Sequence, residues 1–451
     1  MKYSVLLAFL TLTLGLAGIL DAEKSSAATL AAAGAAYDAS IPALPPPEPT
    51  GAITLETAVE AAVGRHPSLA VTRYEIEARK GAVQQAGLPP NPVLFGEMEE
   101  FAGSGDFSGS TALSARLGIS RELVLGGKTG KRVREAEAAA GVAELEHRAR
   151  IVEIAALVEK RFLAVFTSQE RLRLQTEGLD LIRQSHEVVA KRVRAGDTSP
   201  LDLARSQVDL ATAQIALEQS RMELETARYS LAETWGSTVP AFAEVSFRYH
   251  SEADFNEADL QEALRRSPVW RLQEEQGAVA EATLELATAQ KIPDIELEGG
   301  VQRFNESDDH AFFVGFSIPL PLFDRNQGNI AEARAARQKA RHAGEAAYLA
   351  LRTELRLAWR EVLASRRALQ ALENEVMPSA SQAYEAIGKG YRAGATDILG
   401  LLDARRTWLA TRASRLDLLH RLENGLIEIK RLTADGALPA AASSDTNANR
   451  N

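Results

Sequence analysis

The chain of 451 residues contains no cysteine, which excludes disulfide bridges, thiolate metal sites and a lipid-modified N-terminal cysteine. Aromatic residues are scarce as well, at 6% of the chain, although 45% of the residues are hydrophobic. Alanine and leucine therefore supply most of the apolar surface, and this composition favours long helices over a compact mixed core.

Positive charge is not in excess either. The formal net charge is −10 at pH 7, and no cluster of lysine or arginine stands out, which argues against nucleic acid as a partner. Beyond the N-terminal segment no stretch reaches 18 consecutive apolar residues, so the sequence predicts no transmembrane helix. A role within a membrane would have to use β-strands.

The residue types that usually carry enzyme chemistry form no recognisable pattern. Seven histidines and four methionines are scattered without the spacing of metal ligands. The segment GGKTG, which begins at Gly126, resembles a phosphate-binding loop, but Glu122 stands where that loop needs its leading glycine. We therefore predict no enzymatic activity, no cofactor and no metal site.

The N-terminal segment is typical of a secretory signal. Lys2 precedes an apolar run over residues 5–20, and small residues follow up to Ala28. Cleavage after Ala22 and cleavage after Ala27 both fit this pattern.

The most regular stretch, residues 191–236, predicts a helix with two apolar stripes. After a turn that ends at Pro200, apolar residues recur every seven positions, which is the pattern of helices that wind around one another. At about 100° per residue, an offset of two residues places the stripes about 200° apart. We therefore expect a neighbouring helix on each side, as in a wall of helices closed into a tube. The stripes are Leu201, Val208, Ile215, Met222 and Tyr229, and Leu203, Leu210, Leu217, Leu224 and Leu231.

The second half of the sequence repeats the first. Arg194-Ala195-Gly196 returns as Arg392-Ala393-Gly394, and His66-Pro67 returns as Ser267-Pro268. Each half predicts a short helix, a second helix, two strands, a very long helix, a turn and another long helix, which indicates an internal repeat. The predicted domains are a signal peptide (1–27), a proline-rich spacer (28–52), repeat 1 (53–236), a linker (237–256), repeat 2 (257–436) and a disordered tail (437–451).

Each repeat contains a predicted pair of strands with one apolar face. Little else in the sequence could cover these faces. If they meet lipid, every strand edge must be paired, and about eight strands are the fewest known to close a membrane barrel. Several chains would then pool their strands; two small soluble hairpins packed on helices are the alternative. The apolar residues are Leu113, Ala115, Leu117 and Ile119 in repeat 1, and Phe312, Val314, Phe316 and Ile318 within the predicted strands 294–304 and 311–322 of repeat 2.

The segment IPLPLFDRNQGNIAEARAA, residues 318–336, and the two Arg-Ala-Gly turns carry a resemblance to a known family. Over about residues 53–436 the chain resembles the TolC-type outer-membrane efflux channels, and within them the CzcC-like group that serves heavy-metal export. The resemblance implies a mainly α fold with a small β part, assembled as a homotrimer. Long antiparallel helical hairpins would form a periplasmic α-barrel, and four strands per chain would enter a shared twelve-stranded β-barrel in the outer membrane, in contact with its lipid.

The resemblance also implies partners and a role. The turns Arg194-Ala195-Gly196 and Arg392-Ala393-Gly394 would form a periplasmic tip that docks on a periplasmic adaptor (membrane fusion) protein. The adaptor would connect this duct to a proton-driven inner-membrane pump of the resistance-nodulation-division class. The chain would then be the passive exit duct. The resemblance to the CzcC-like group favours divalent cations such as cobalt, zinc, cadmium or nickel as the exported substrate. Copper, silver and organic compounds are the alternative substrates.

Three further residues acquire roles only through the resemblance. Tyr391, in the second turn, would face Asp202, after the first turn, and help to hold the tip shut. Asp403 takes the position of a family aspartate that rings the pore and attracts cations. Gly400 occupies the neighbouring aspartate position, so a double acidic ring is not implied.

A periplasmic coiled-coil scaffold or adaptor is the alternative from another class. An adaptor would contain one helical hairpin framed by compact β-rich domains. This sequence predicts two hairpins, each preceded by an amphipathic strand pair, which favours the channel.

Overall fold

The structure is a computed structural model that describes residues 47–249 and 256–434. The predicted signal peptide, the spacer up to residue 46, linker residues 250–255 and the predicted disordered tail lie outside the described residues.

Helices account for most of the described residues. The second half repeats the order of the first, except that its longest helix is divided in two. The first half contains α1 (Leu55–Arg65), α2 (Pro67–Gly87), α3 (Lys128–Ala195) and α4 (Pro200–Glu233), and the second half contains α5 (Glu257–Arg266), α6 (Pro268–Ala289), α7 (Gln327–Ala371), α8 (Met377–Arg392) and α9 (Ile398–Thr433).

The longest helix, α3, is unbroken for 68 residues because it contains no proline. At about 1.5 Å per residue it is about 100 Å long. Gly127, with φ of 67°, precedes it, and Gly196, with φ of 80°, ends it. Helices α1, α2, α4, α6 and α9 all pack against α3, so this helix connects the two halves of the chain.

The corresponding helix of the second half is interrupted before Pro378. Helix α7 passes into a π-helical turn, Leu372–Val376, which leads directly into α8. Proline donates no backbone hydrogen bond, and its ring clashes with the carbonyl four residues earlier. The wider π turn accommodates both effects, so the helical path continues without a loop.

The strands form two sheets. A short parallel pair joins β1 (Gly51–Ile53) to β4 (Phe242–Val245). The larger sheet is antiparallel and lies at the N-terminal ends of α3 and α7. Its order is β2 (Val93–Glu99), β3 (Ser114–Leu123), β5 (Ile295–Phe304) and β6 (Asp309–Ser317). The two hairpins therefore meet at β3 and β5, with Ser114 opposite Phe304 and Leu123 opposite Ile295.

The predicted strand over residues 294–304 is confirmed as β5, whereas the prediction over 311–322 is wrong at both ends. Strand β6 begins at Asp309 and ends at Ser317. Pro319 and Pro321 have no N–H for the ladder, so pairing stops before them. Residues 318–323 consequently lie outside the sheet.

Two glycines at the centre of the larger sheet allow close contacts, Gly118 with two phenyl rings and Gly300 with the backbone of β3. Gly118 and Gly300 are directly opposite each other on β3 and β5. A Cβ atom on Gly118 would lie 2.7 Å from Phe95 and 2.8 Å from Phe313, and one on Gly300 would overlap the carbonyl oxygen of Leu117. The two ring centroids are 6.0 Å apart, so the rings meet over the glycines.

Apolar clusters hold the helices together. In the first half, Phe162 and Trp235 are fully buried members of a cluster that also includes α1, β1 and β4. In the second half, Leu264 and Val362 belong to a cluster that joins α5, α7 and α9. A third cluster, around Tyr391, lies beside the two Arg-Ala-Gly turns. Burial of each such side chain contributes about 1.5–3 kcal/mol.

Within residues 47–249 and 256–434, no helix combines the length and the apolar character needed to cross a membrane.

Candidate functional site

The larger sheet has a polar face and an apolar face, and the large side chains of the apolar face are exposed. Val314 is 84% exposed. The register places most of the exposed apolar residues on one face, because directly opposed residues of neighbouring strands point the same way. A sheet in a water-soluble protein usually packs such a face on its core. The exposed face includes Leu94, Met98, Leu117, Ile119, Leu297, Val301, Phe312, Val314 and Phe316.

The opposite face of the sheet carries the negative charge. The register puts every acidic residue of these four strands on the polar face, and none on the apolar face. Arg116 is the single basic residue of the polar face; its Nη1 lies 3.4 Å from Glu97 Oε2, and its guanidinium lies 4.1 Å from the centroid of the Phe313 ring. The positive charge is therefore held against a carboxylate and an aromatic face. The acidic residues are Glu97, Glu99, Glu122, Glu296, Glu298 and Asp309.

The two Arg-Ala-Gly turns have closely similar geometry. Gly196 and Gly394 have φ values of 80° and 75°, a conformation that glycine adopts without strain. Arg194 Nε donates to the carbonyl of Ala190, and Arg392 Nε donates to the carbonyl of Gly388, each at 3.2 Å. Each arginine therefore closes the last turn of its own helix, and its side chain is exposed with the rest of the turn.

The structure brings the two turns together through Tyr391. This side chain is 4% exposed, and the guanidinium of Arg192 lies 4.9 Å from its ring centroid. Arg192 Nη1 also donates to the Tyr391 carbonyl at 3.3 Å. A residue of the first hairpin is thus fixed on the turn of the second.

Within one chain, Tyr391 and Asp202 are not joined by a hydrogen bond. The Tyr391 hydroxyl is buried and has no hydrogen-bond partner among the described residues. Asp202 accepts a hydrogen bond of 2.5 Å from Thr198 Oγ1, and its carboxylate lies 3.8 Å from Arg205. A link between Tyr391 and Asp202 of neighbouring chains stays a prediction.

Asp403 lies on α9, exposed, in a groove between α9 and α4. Gly400, one turn earlier, donates its backbone N–H to Asp397 Oδ1 at 2.9 Å, so Asp397 caps the helix. The groove is lined by Leu201, Ala204, Arg205, Val208, Asp209, Thr212, Leu399, Leu402, Asp403 and Arg406.

An ion pair beside this groove was not predicted. Arg405, on α9, is 2% exposed and donates to Asp209, on α4. Arg406 lies 3.8 Å from the same carboxylate but is exposed. One feature of the sequence could have indicated this pair: Arg405 stands among apolar positions of α9, where Leu401 and Ala404 are buried.

The heptad helix α4 uses one of its two stripes within the chain. Leu217 and Leu231 are buried on the side that packs on α3, which confirms one predicted neighbour. The stripe that runs from Leu201 to Tyr229 is exposed along its whole length. Within residues 47–249 and 256–434, no second helix covers this stripe.

A charged network joins α3, α7 and α9 in the helical wall. Burial would raise the pKa of Glu428, but hydrogen bonds from Arg431 and Lys160 lower that pKa to about 2. Arg431 also contacts Glu354 at 2.5 Å. Burial raises the pKa of Glu354, and so does its hydrogen bond with Glu428. These contacts tie the two halves of the chain together.

No group of three or more potential metal ligands occurs in the described part of the chain.

Comparison with known proteins identifies the family. The model of the family described as outer membrane efflux protein matches residues 58–237 and again residues 260–435. The cobalt-zinc-cadmium resistance protein CzcC of Cupriavidus metallidurans is 30% identical over 388 residues, which cover 86% of this chain and 91% of that protein. The nickel and cobalt resistance protein CnrC of the same organism is 30% identical over 279 residues, which cover 61% and 66%.

Solved structures share the fold. A membrane protein from Pseudomonas aeruginosa superposes with a TM-score of 0.75 at 22% identity and covers 85% of this chain and 92% of its own. The structure of CusC, described as a transmembrane channel, gives a TM-score of 0.72 at 20% identity, with 88% and 98% covered. Because the family model matches most of the chain, this chain belongs to the outer membrane efflux protein family and is an efflux channel of the outer membrane that extends into the periplasm.

Proposed function

We propose that the chain is the passive exit duct of a proton-driven tripartite efflux system, and that three copies form the duct. The observation that carries this proposal is the larger sheet, which exposes its apolar face and has its acidic residues on the opposite face. An apolar face suits contact with lipid, and a charged face suits a water-filled lumen.

The edges of the sheet support a shared barrel. Strands β2 and β6 each have one neighbour among the described strands, so each leaves a row of backbone groups open for pairing. In lipid such groups must find partners. Pairing β6 of one copy with β2 of the next, three times, would close twelve strands. The exposed stripe of α4, from Leu201 to Tyr229, would then pack on a helix of a neighbouring copy in the periplasm.

We further propose that residues 53–236 and 257–436 are two repeats of one unit, joined by a linker over 237–256. The matching order of helices and strands supports this division. The turns at the far ends of the hairpins, Arg194-Ala195-Gly196 and Arg392-Ala393-Gly394, are the proposed docking site for a periplasmic adaptor. A resistance-nodulation-division pump in the inner membrane would supply the energy by admitting protons.

Divalent heavy-metal cations are the proposed cargo. The relative CzcC is named for resistance to cobalt, zinc and cadmium, and CnrC for resistance to nickel and cobalt. The acidic residues on the inward face of the sheet would favour cations over anions in the lumen.

Two measurements test this function. Removal of the gene is expected to lower tolerance to cobalt, zinc or cadmium, and expression of the intact chain should restore it. Light scattering of the detergent-extracted protein, with detergent subtracted, should give three chains per particle. A monomer released by osmotic shock would overturn the duct, and lost tolerance to organic compounds alone would overturn the cargo.

Replacement of Asp403 by alanine is expected to reduce cation selectivity in a planar bilayer. Three copies would bring three exposed carboxylates to the pore, and their loss weakens the attraction for cations. The difference from the unmodified channel should shrink at about 1 M salt, where the Debye length is only about 3 Å.

Asp180→Ala is the matched control, because Asp180 is an exposed aspartate on α3. Trimer formation should be unchanged in both variants. Equal selectivity of the Asp403→Ala channel and the control would show that Asp403 does not line the pore.

A further inference from the structure

The strongest unexplained surface is a short apolar loop between β6 and α7. Its side chains lie beyond the end of the sheet and face solvent: Phe323 is 91% exposed, and Leu320 and Leu322 are also exposed. We refer to residues 318–323 as the Pro-Leu loop. A soluble protein rarely leaves so many large apolar side chains together on one exposed loop.

The loop is held rigidly although it is exposed. Leu322 donates its backbone N–H to the Leu320 carbonyl at 2.8 Å, and Arg325 Nε donates to the Pro321 carbonyl at 3.3 Å. Gln327 Nε2 donates to the Phe323 carbonyl at 3.0 Å. Two prolines restrict the backbone further. The exposed side chains are therefore presented in one arrangement, and little conformational entropy remains to be lost when they bind.

The following residues anchor the loop to the helical part. Asn326 adopts a left-handed conformation, with φ of 58°, and donates through Nδ2 to the Ala287 carbonyl at 2.7 Å. Its backbone N–H donates to Asp324 Oδ1 at 2.8 Å. The sequence changes at this point from the apolar residues up to Phe323 to the charged and polar residues that begin at Asp324.

The loop continues the apolar face of the sheet. Residues 312, 314 and 316 lie on the apolar face by their register, and the loop follows directly after the end of β6 at Ser317. Phe312 to Phe316 rise about 13 Å at about 3.3 Å per residue, or about 10 Å along the membrane normal at a tilt of about 40°. The apolar band of an outer-membrane barrel is about 25 Å tall. The paired part of β6 therefore spans less than half of that height, and the exposed Leu320, Leu322 and Phe323 add apolar surface beyond its end.

We propose that the Pro-Leu loop is a membrane-embedded wedge whose partner is the acyl-chain region at the periplasmic edge of the outer membrane. The loop adds apolar surface beyond the end of β6, and the change to Asp324 and Arg325 marks the boundary with the headgroups. The wedge fixes how deeply the sheet sits in the bilayer. This inference rests on the proposed contact between the sheet and lipid.

Tryptophan fluorescence in vesicles tests the wedge. The full-length protein would carry Phe323→Trp, or Phe316→Trp on the exposed face of β6, and be reconstituted into phosphatidylcholine brominated at defined acyl positions. The unmodified protein supplies the background of its four tryptophans. We expect bromine near the headgroup to remove most of the fluorescence added by Phe323→Trp, and bromine deeper in the chain to remove that added by Phe316→Trp.

The two tryptophan positions distinguish failure of the proposed wedge from failure of the proposed lipid-facing sheet. Quenching of Phe316→Trp without quenching of Phe323→Trp would overturn the wedge and leave the proposed channel intact. Absence of quenching at both positions would overturn the lipid-facing sheet itself. A blue-shifted but unquenched Phe323→Trp would place the loop against a second copy of the chain. Leu320→Trp repeats the test at a second exposed position and should behave as Phe323→Trp does.

Discussion

Gly300→Ala is expected to prevent formation of the four-stranded sheet. Gly300 lies directly opposite Gly118 in the central strand pair, and an added Cβ would overlap the Leu117 carbonyl oxygen and crowd the Gly118 Cα atom. Both obstacles are backbone atoms, so no side-chain rotation relieves them. Ordinary overpacking of a core costs about 1–3 kcal/mol of folding free energy. The cost of Gly300→Ala should be larger, because the two strands themselves must separate.

The neighbouring glycine supplies the control. A Cβ on Gly299 would lie 3.5 Å from the Phe313 carbonyl oxygen, an ordinary van der Waals contact. Gly299→Ala should therefore assemble normally, whereas Gly300→Ala should yield little detergent-extracted trimer from the outer-membrane fraction. Equal yields of the two variants would contradict the close approach of β3 and β5.

Asp209→Asn is expected to destabilise the folded chain by about 3–5 kcal/mol, because it leaves the buried guanidinium of Arg405 without a counter-charge. The pair joins α4 to α9 beside the groove that contains Asp403. The loss should appear as a lower midpoint of thermal or denaturant unfolding for the detergent-extracted protein. Removing both partners, as in Asp209→Asn with Arg405→Met, should recover much of the stability, since the buried charge is then gone.

Arg406→Ala is the matched control for this pair. Arg406 also approaches Asp209, but its side chain is exposed, so its loss should change the free energy of unfolding by less than about 1 kcal/mol. An Asp209→Asn variant that unfolds at the same midpoint as Arg406→Ala would show that the buried pair contributes little.

The long helices could be predicted because their signals are local. Each signal belongs to a single stretch of the sequence: the absence of proline over residues 128–194, the glycine turns, and the seven-residue period of α4. The observed helices agree closely with these signals. The alternation of apolar residues in β3 likewise predicts its exposed face. In β6 the same alternation continues through Leu322, although Pro319 and Pro321 end the pairing, so apolar alternation alone overestimated the strand.

The contacts that join distant parts of the chain could not be predicted in this way. Three contacts depend on how two distant elements are placed relative to each other. They are the ion pair between Asp209 and Arg405, the pairing of Gly118 with Gly300, and the packing of Arg192 on the Tyr391 ring. The sequence identifies each residue as a charge, a glycine or an aromatic ring, but its partner is fixed only by packing. The family resemblance assigned Tyr391 to Asp202, whereas within one chain Tyr391 packs on Arg192.

The central pairing of β3 with β5 determines the order in which this protein can fold. Helices α3, α4, α5 and α6 lie between these two strands in the chain, so the sheet is built from contacts very distant in sequence. Such contacts form slowly, because closing a long loop costs conformational entropy before the contacts provide any stabilising energy. Until β3 and β5 pair, each strand hairpin has an unpaired edge next to its apolar face, and such edges are sites of aggregation. The pairing of β3 with β5 is therefore expected to limit the rate at which the sheet forms.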